Sequence, residues 1–164
     1  MKETYGLQCF EIDLDLSWSP LDDTDYNATS EMFAFYNENL DVRLSIAGFR
    51  IDATGRDLFD LATGMLDAVL KGIASALEDL DGSLLVNGEM AVGDTETGFD
   101  VDVTAEVAGA PLYQRHMFVA TIVNSVVAIN VRMESSLIMA EDLRTLWRNV
   151  RPDLFLVEPV PPGG

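Results

Sequence analysis

DLFDLATGMLDAVLKGIASALEDL, residues 57–80, is the long stretch in which apolar residues recur every three or four positions. Leu58, Leu61, Met65, Val69, Leu77 and Leu80, with Ala62, Leu66, Leu70 and Ile73 beside them, form one broad stripe, the pattern of a helix that buries one side. Thr54 or Asp57 can cap its start, Asp57 and Asp60 suit the positive end of its dipole, and Gly82 suits the left-handed residue that ends it.

On either side the period is two. Upstream, Phe10, Ile12, Leu14, Leu16 and Trp18 alternate with Glu11, Asp13, Asp15 and Ser17, so residues 10–18 are expected to form a strand with one wet face and one buried face. Residues 31–36 and 40–49 follow as a hairpin around Asn37, Glu38 and Asn39, with Leu40, Val42, Leu44 and Ile46 on its apolar side. Downstream come strands at 83–92, 99–107, 112–123 and 126–133. Short turns at Gly93, Asp94 and Gly98, and at Asn124 and Ser125, make neighbours antiparallel. The last two strands are apolar on both faces, as central strands are. A second helix, residues 140–150, buries Leu143, Leu146, Trp147 and Val150 until Pro152 stops it. Leu66 and Trp147 are expected in the core. The fold class is α+β: one domain over residues 1–157, an antiparallel sheet of about six or seven strands with a long central helix and a C-terminal helix, then a flexible Pro/Gly tail, 158–164.

Composition narrows the function. The 164 residues hold 28 Asp and Glu against 10 Lys and Arg, a formal charge of −18. The acids are unevenly placed: 13 against 4 bases in residues 1–60, 10 against 1 in 61–110, and 5 of each in 111–164. Such a surface repels phosphates, which excludes nucleic acid and anionic membrane as partners and favours basic or apolar ones. Residues 1–18 carry Glu3, Glu11, Asp13 and Asp15 where a secretory signal would be basic and apolar, and the longest run without Asp, Glu, Lys or Arg, 116–131, is too short to span a bilayer. The protein is expected to be cytoplasmic.

Motifs for chemistry are scarce. One cysteine, Cys9, makes no internal disulfide and reads as a small buried hydrophobe; one histidine, His116, cannot build a His-rich metal site. On a strand face with Leu112, Gln114, Phe118, Ala120 and Ile122, His116 is expected at the core or its rim rather than as a catalytic base. Asp23, Asp25 and Asn27 match the first, third and fifth positions of a calcium loop, but Ala28 and Ala34 stand where Gly and Glu are needed, which leaves a solvated acidic turn. Alternating acids such as Asp13 with Asp15, or Asp100 with Asp102, are expected on a wet face. Nucleophile-elbow and phosphate-loop patterns are absent. No catalytic residue, metal or cofactor is expected.

Two features remain as candidate partner-binding residues. Gly64, Ala68, Gly72 and Ala76 make a ridge of small side chains along the long helix, expected to seat it on its own sheet, with a partner segment lying along it as the second reading. Arg144, Arg148 and Arg151 form a basic stripe on the last helix, expected to pair with the acidic body or, secondly, with an anionic partner or a second copy.

The order of elements, with three strands, the long helix, four strands and a final helix carrying an aromatic residue, resembles the PsbP/DcrB-like superfamily, and within it the chaperones associated with bacterial secretion. That resemblance implies a non-enzymatic protein-binding module: a chaperone or adaptor shielding an apolar segment of a secreted bacterial effector. The alternatives are an immunity protein whose acidic face covers a basic toxin, and a small acidic enzyme of a salt-adapted organism. A homodimer is expected from the doubly apolar strands.

Overall fold

The long helix forms as its periodicity requires. In the computed structural model, which describes residues 2–6, 10–21, 30–50, 55, 57–92, 96–122 and 127–156, it begins where the Asp57 carboxylate accepts the Phe59 amide at 2.9 Å. In chain order the elements are β1 (Lys2–Gly6), β2 (Phe10–Asp15), β3 (Trp18–Pro20), β4 (Ser30–Asn37), β5 (Val42–Arg50), α1 (Leu58–Glu78), β6 (Gly82–Val92), β7 (Glu96–Val107), β8 (Ala110–Ile122), β9 (Val127–Ser135), α2 (Ala140–Val150) and β10 (Leu154–Leu156). A 3-10 turn at Arg151–Asp153, containing Pro152, ends α2. Seven strands make one antiparallel sheet in the order β3-β4-β5-β9-β8-β7-β6, and β1-β2-β10 make a second, smaller one. The α+β class, the seven strands and both helices agree with the sequence; β1, β10 and the second sheet are additions.

Alternation along the strands separates two packing layers. On one face of the large sheet Phe35, Val42, Leu44, Ile46, Phe118, Val131 and Met133 meet Phe10, Ile12 and Leu14 of the small sheet and Leu143, Trp147 and Val150 of α2. On the other, Val101, Val103, Ala105 and Met117 meet Ile73 and Leu77 of α1, with Leu66, Val69 and Leu70 half-buried around them. Trp147 is therefore core as expected, and Leu66 lies at the margin. Strand β8 is covered on both sides by its own chain, so its doubly apolar sequence needs no second copy to bury it.

Several local expectations are corrected. The strand expected over 10–18 breaks at Leu16 and Ser17, because the Asp15 carboxylate accepts both the Ser17 amide at 2.9 Å and its hydroxyl and so closes a turn. Leu16 is exposed, and Trp18 begins a strand of the other sheet with its side chain 5% exposed. Leu40 and Leu80, assigned to apolar faces, lie exposed in turns. Asp81, not Gly82, adopts the left-handed conformation after α1 (φ 53°). Gly82 opens β6, where a Cβ would sit 2.9 Å from the Glu106 carbonyl oxygen. Gly98 lies within β7 rather than in a turn, its missing Cβ making room for the Phe118 ring.

The ridge on α1 faces the wrong way for its expected role: Gly64, Ala68, Gly72 and Ala76 are exposed, and a Cβ added at Gly64 or Gly72 would touch nothing within 4 Å. A four-residue step overshoots a full turn by about 40°, so such a row drifts around the helix instead of holding to the buried side. Cys9, Asp23, Asp25, Asn27, Gly93, Asp94, Asn124, Ser125 and the tail 158–164 lie outside the described residues.

Candidate functional site

Helix α2 turns Leu143, Trp147 and Val150 into the core, which leaves Arg144 and Arg148 on its flank, overhanging β7 and β6. Its approach is fixed by the buried Ser135 hydroxyl, which accepts the amides of Leu137 (3.0 Å) and Ile138 (3.2 Å). A groove results between helix and sheet. One end is a cavity of about 180 Å³ lined by Asn87, Gly88, Asp100, Asp102, Arg144 and Arg148. The other, about 400 Å³, adds Leu85, Thr104, Gln114, Met139 and Glu141.

Beneath the groove lies a charge cluster. His116 is 1% exposed. Its Nδ1 is 2.7 Å from Asp102 Oδ1 and its Nε2 3.0 Å from Asp100 Oδ1, while Arg144 Nε lies 3.4 Å from the other Asp102 oxygen. Each ring nitrogen thus has a carboxylate oxygen as its neighbour, and the buried imidazole is held between two strand acids, with Arg144 against the outer side of one of them. Of the acids expected on a wet face, Asp100 and Asp102 are thus turned toward a covered one. Next to them Thr104 donates to the buried Gln114 side chain at 2.6 Å.

A single irregularity makes this cluster. The β7–β8 hairpin turns at Ala108 and Gly109, both with positive φ as a two-residue hairpin loop requires, and its register shifts by one residue between Ala105 and Glu106. Because of that bulge Asp102 stands opposite His116. Without it His116 would face Val101, on the layer packed by α1.

The candidate residues of the basic stripe separate. Arg144 pairs with Asp102, Arg148 is exposed at the cavity wall, and Arg151 leaves the groove, its guanidinium 4.9 Å from the centre of the Phe118 ring and its Nη1 donating to the Leu154 carbonyl at 3.4 Å. Pairing with the acidic body therefore holds for Arg144, and the α1 ridge lies on the opposite face of the sheet. Among the described residues no group of three or more His, Cys, Asp or Glu side chains is placed to hold a metal, and no helix is long and apolar enough to cross a membrane.

The groove's outer boundary is a feature that composition does not reveal. Strand β6 is the last of its sheet, eleven residues long, GSLLVNGEMAV, with no Lys, Arg or Pro and one charged residue, Glu89. Leu85 is 57% exposed beside it, Met139 55% across the groove, and Leu137, two residues earlier, 77%. The run was legible as a strand; its place at an edge follows from long-range pairing alone.

No family model matches the chain and no curated protein does. Among solved structures, cyanobacterial PsbP (CyanoP) from Synechocystis sp. PCC 6803 is similar with a TM-score of 0.70 at 16% identity, over 94% of this chain and 92% of that one. The Ran-binding protein Mog1p of Saccharomyces cerevisiae is similar with a TM-score of 0.55 at 10% identity, over 96% of each chain. The likeness is one of fold: the chain has a PsbP-like fold, in agreement with the resemblance its element order suggested.

Proposed function

We propose that the chain is a non-enzymatic protein-binding module that works as a chaperone or adaptor for a secreted bacterial protein, holding an extended, apolar segment of it along β6 and the groove beside that strand. The carrying observation is that, among the described residues, no strand pairs with the outer side of β6. Eleven residues of edge backbone offer main-chain donors and acceptors to an added strand, and Leu85 and Met139 offer apolar contact to its alternate side chains. The fold is compatible with such a use, since one similar structure is by name a Ran-binding protein. The engagement of both His116 nitrogens argues against acid/base catalysis in the groove. At −18 the partner is a protein rather than nucleic acid or anionic membrane, met in the cytoplasm.

Charge favours a second reading, an immunity protein covering a basic toxin with the acid-rich residues 1–110. Salt separates the two. An acidic inhibitor steered onto a basic partner associates at least tenfold more slowly at about 500 mM than at about 50 mM salt, whereas a complex held by apolar burial changes little. The edge itself is tested with Leu85→Lys combined with Val86→Lys, two exposed positions where added charge blocks strand addition. The co-purified partner is expected to lose at least tenfold in affinity with the melting temperature unchanged, and undiminished binding would overturn the edge reading.

A further inference from the structure

Gln114 stands on the face of β8 that α2 covers, between Thr104 of β7 and Ser135 of β9 in the register. It is 3% exposed and lines the wider end of the groove, the cavity of about 400 Å³. One end of its amide is engaged, since Oε1 accepts the Thr104 hydroxyl at 2.6 Å. On the other side the Ser135 oxygen already accepts the Leu137 and Ile138 amides at the entry to α2. Among the described residues no hydrogen bond uses Gln114 Nε2. A buried amide donor without an acceptor is costly, so one placed on a cavity wall calls for an acceptor from outside the chain.

The rest of the wall selects what can carry that acceptor. Leu85 and Met139, both exposed at the rim, offer apolar contact to a stem. Asp102 is engaged by His116 and Arg144. Glu141 lies exposed on the same wall, and among the described residues no ion pair involves it. A carboxylate tip would satisfy Nε2 but would meet Glu141 and Asp102 in a chain of −18. An ammonium or guanidinium tip carries donors only and would leave Nε2 as it is. A hydrocarbon tip would bury the donor without answering it. A primary carboxamide has a carbonyl for Nε2, an NH2 group for Glu141, and no charge to desolvate.

We propose that this end of the α2 groove is a pocket for one primary carboxamide, the side-chain tip of an asparagine or glutamine in the segment held along β6 and the groove. Gln114 reads the tip, and Leu85 and Met139 flank its stem. The source of the side chain rests on the chaperone reading. The pocket is a property of this chain alone and can be probed without a partner.

The probe is butyramide, a propyl chain ending in a carboxamide, set against butyrate and butylammonium, which keep the chain and change the tip. Each is titrated into the full chain at constant ionic strength, and nitrogen–proton NMR spectra follow the Gln114 side-chain amide with the backbone amides of Leu85 and Thr104. A saturable shift with a Kd of about 1–10 mM is expected for butyramide, and binding about tenfold weaker or less for the other two. Gln114→Met, which keeps the length of the side chain and loses its amide, should abolish the saturable shifts at Leu85 and Thr104, while Lys71→Gln, on exposed α1, should leave them. Equal binding of butyrate or butylammonium, or a response in Gln114→Met equal to that of the wild type, would overturn the proposal. A shift that does not saturate, or none, shows the amide answered by water alone and overturns it too. Should Gln114→Met fail to fold, butyramide against butyrate on the wild type decides. The two readings fail separately: a missing butyramide site removes the pocket and leaves the β6 edge, whereas undiminished partner binding in Leu85→Lys with Val86→Lys removes the edge and leaves the pocket.

Discussion

The two edges of the seven-stranded sheet are built in opposite ways. At one, β3 has three residues, ends on Pro20, which has no N–H to offer, and turns Trp18 into the core. The chain then continues through Leu21, whose amide is bonded to the Ala34 carbonyl at 2.8 Å. At the other, β6 runs eleven residues without a proline or a basic side chain, and Leu85 and Val86 are exposed on it. An edge that only had to survive in solution would carry some of the devices seen at β3. Their absence from β6, next to a groove with an apolar rim, is what turns a fold description into a binding hypothesis.

The largest expected effect separates the edges by stability. Trp18→Ala removes a core side chain and should cost about 3–5 kcal/mol in urea unfolding, whereas Leu85→Ala at the open edge should cost about 0.5 kcal/mol or less. Comparable losses would mean that β6 is held as tightly as β3, and the comparison would collapse. Next, His116→Phe leaves Asp100 and Asp102 under the groove without the imidazole that both contact, at an expected cost of about 3 kcal/mol. Adding Asp102→Asn should recover part of that loss, and strictly additive losses would show that the three side chains do not act as one cluster. Smaller and opposite in sign is Gly72→Ala on α1: with open space around the new Cβ, a gain of about 1 kcal/mol is expected by thermal melting. A loss would show that the exposed ridge is packed against something after all.

How far the sequence reached follows from the range of each interaction. Helix α1 and its Asp57 cap, the β4–β5 hairpin and the Pro152 stop are local, and the periodicity revealed them. The break at Leu16 and Ser17 is also local, but an alternating run continues through it, so the Asp15 turn was hidden inside a pattern that looked uninterrupted. The site was mostly out of reach. Asp100, Asp102 and His116 meet because one bulge shifts the β7–β8 register by a residue, and no composition rule distinguishes that register from its neighbour. Strand β6 owes its meaning to the strand order, which leaves it last. Arg144 and Arg148 were found because a helix flank is legible in one dimension.

The open edge also gives the expected homodimer a route, different from the doubly apolar strands that first suggested it. Two copies can join their β6 edges antiparallel and continue the sheet across a two-fold axis, with Leu85 and Val86 of each shielded by the other. The cost is charge, since each copy brings −18 toward the other. Screening by salt lowers that repulsion while leaving apolar burial and main-chain bonds nearly intact, so association through β6 should tighten between about 50 mM and about 500 mM salt, as read by light scattering. Leu85→Lys should abolish it at both concentrations with a change in folding stability of about 0.5 kcal/mol or less, because the position is exposed in the single chain. A dimer that survives Leu85→Lys places its interface elsewhere. A wild type that stays monomeric at both concentrations removes self-pairing and leaves the edge for a different protein.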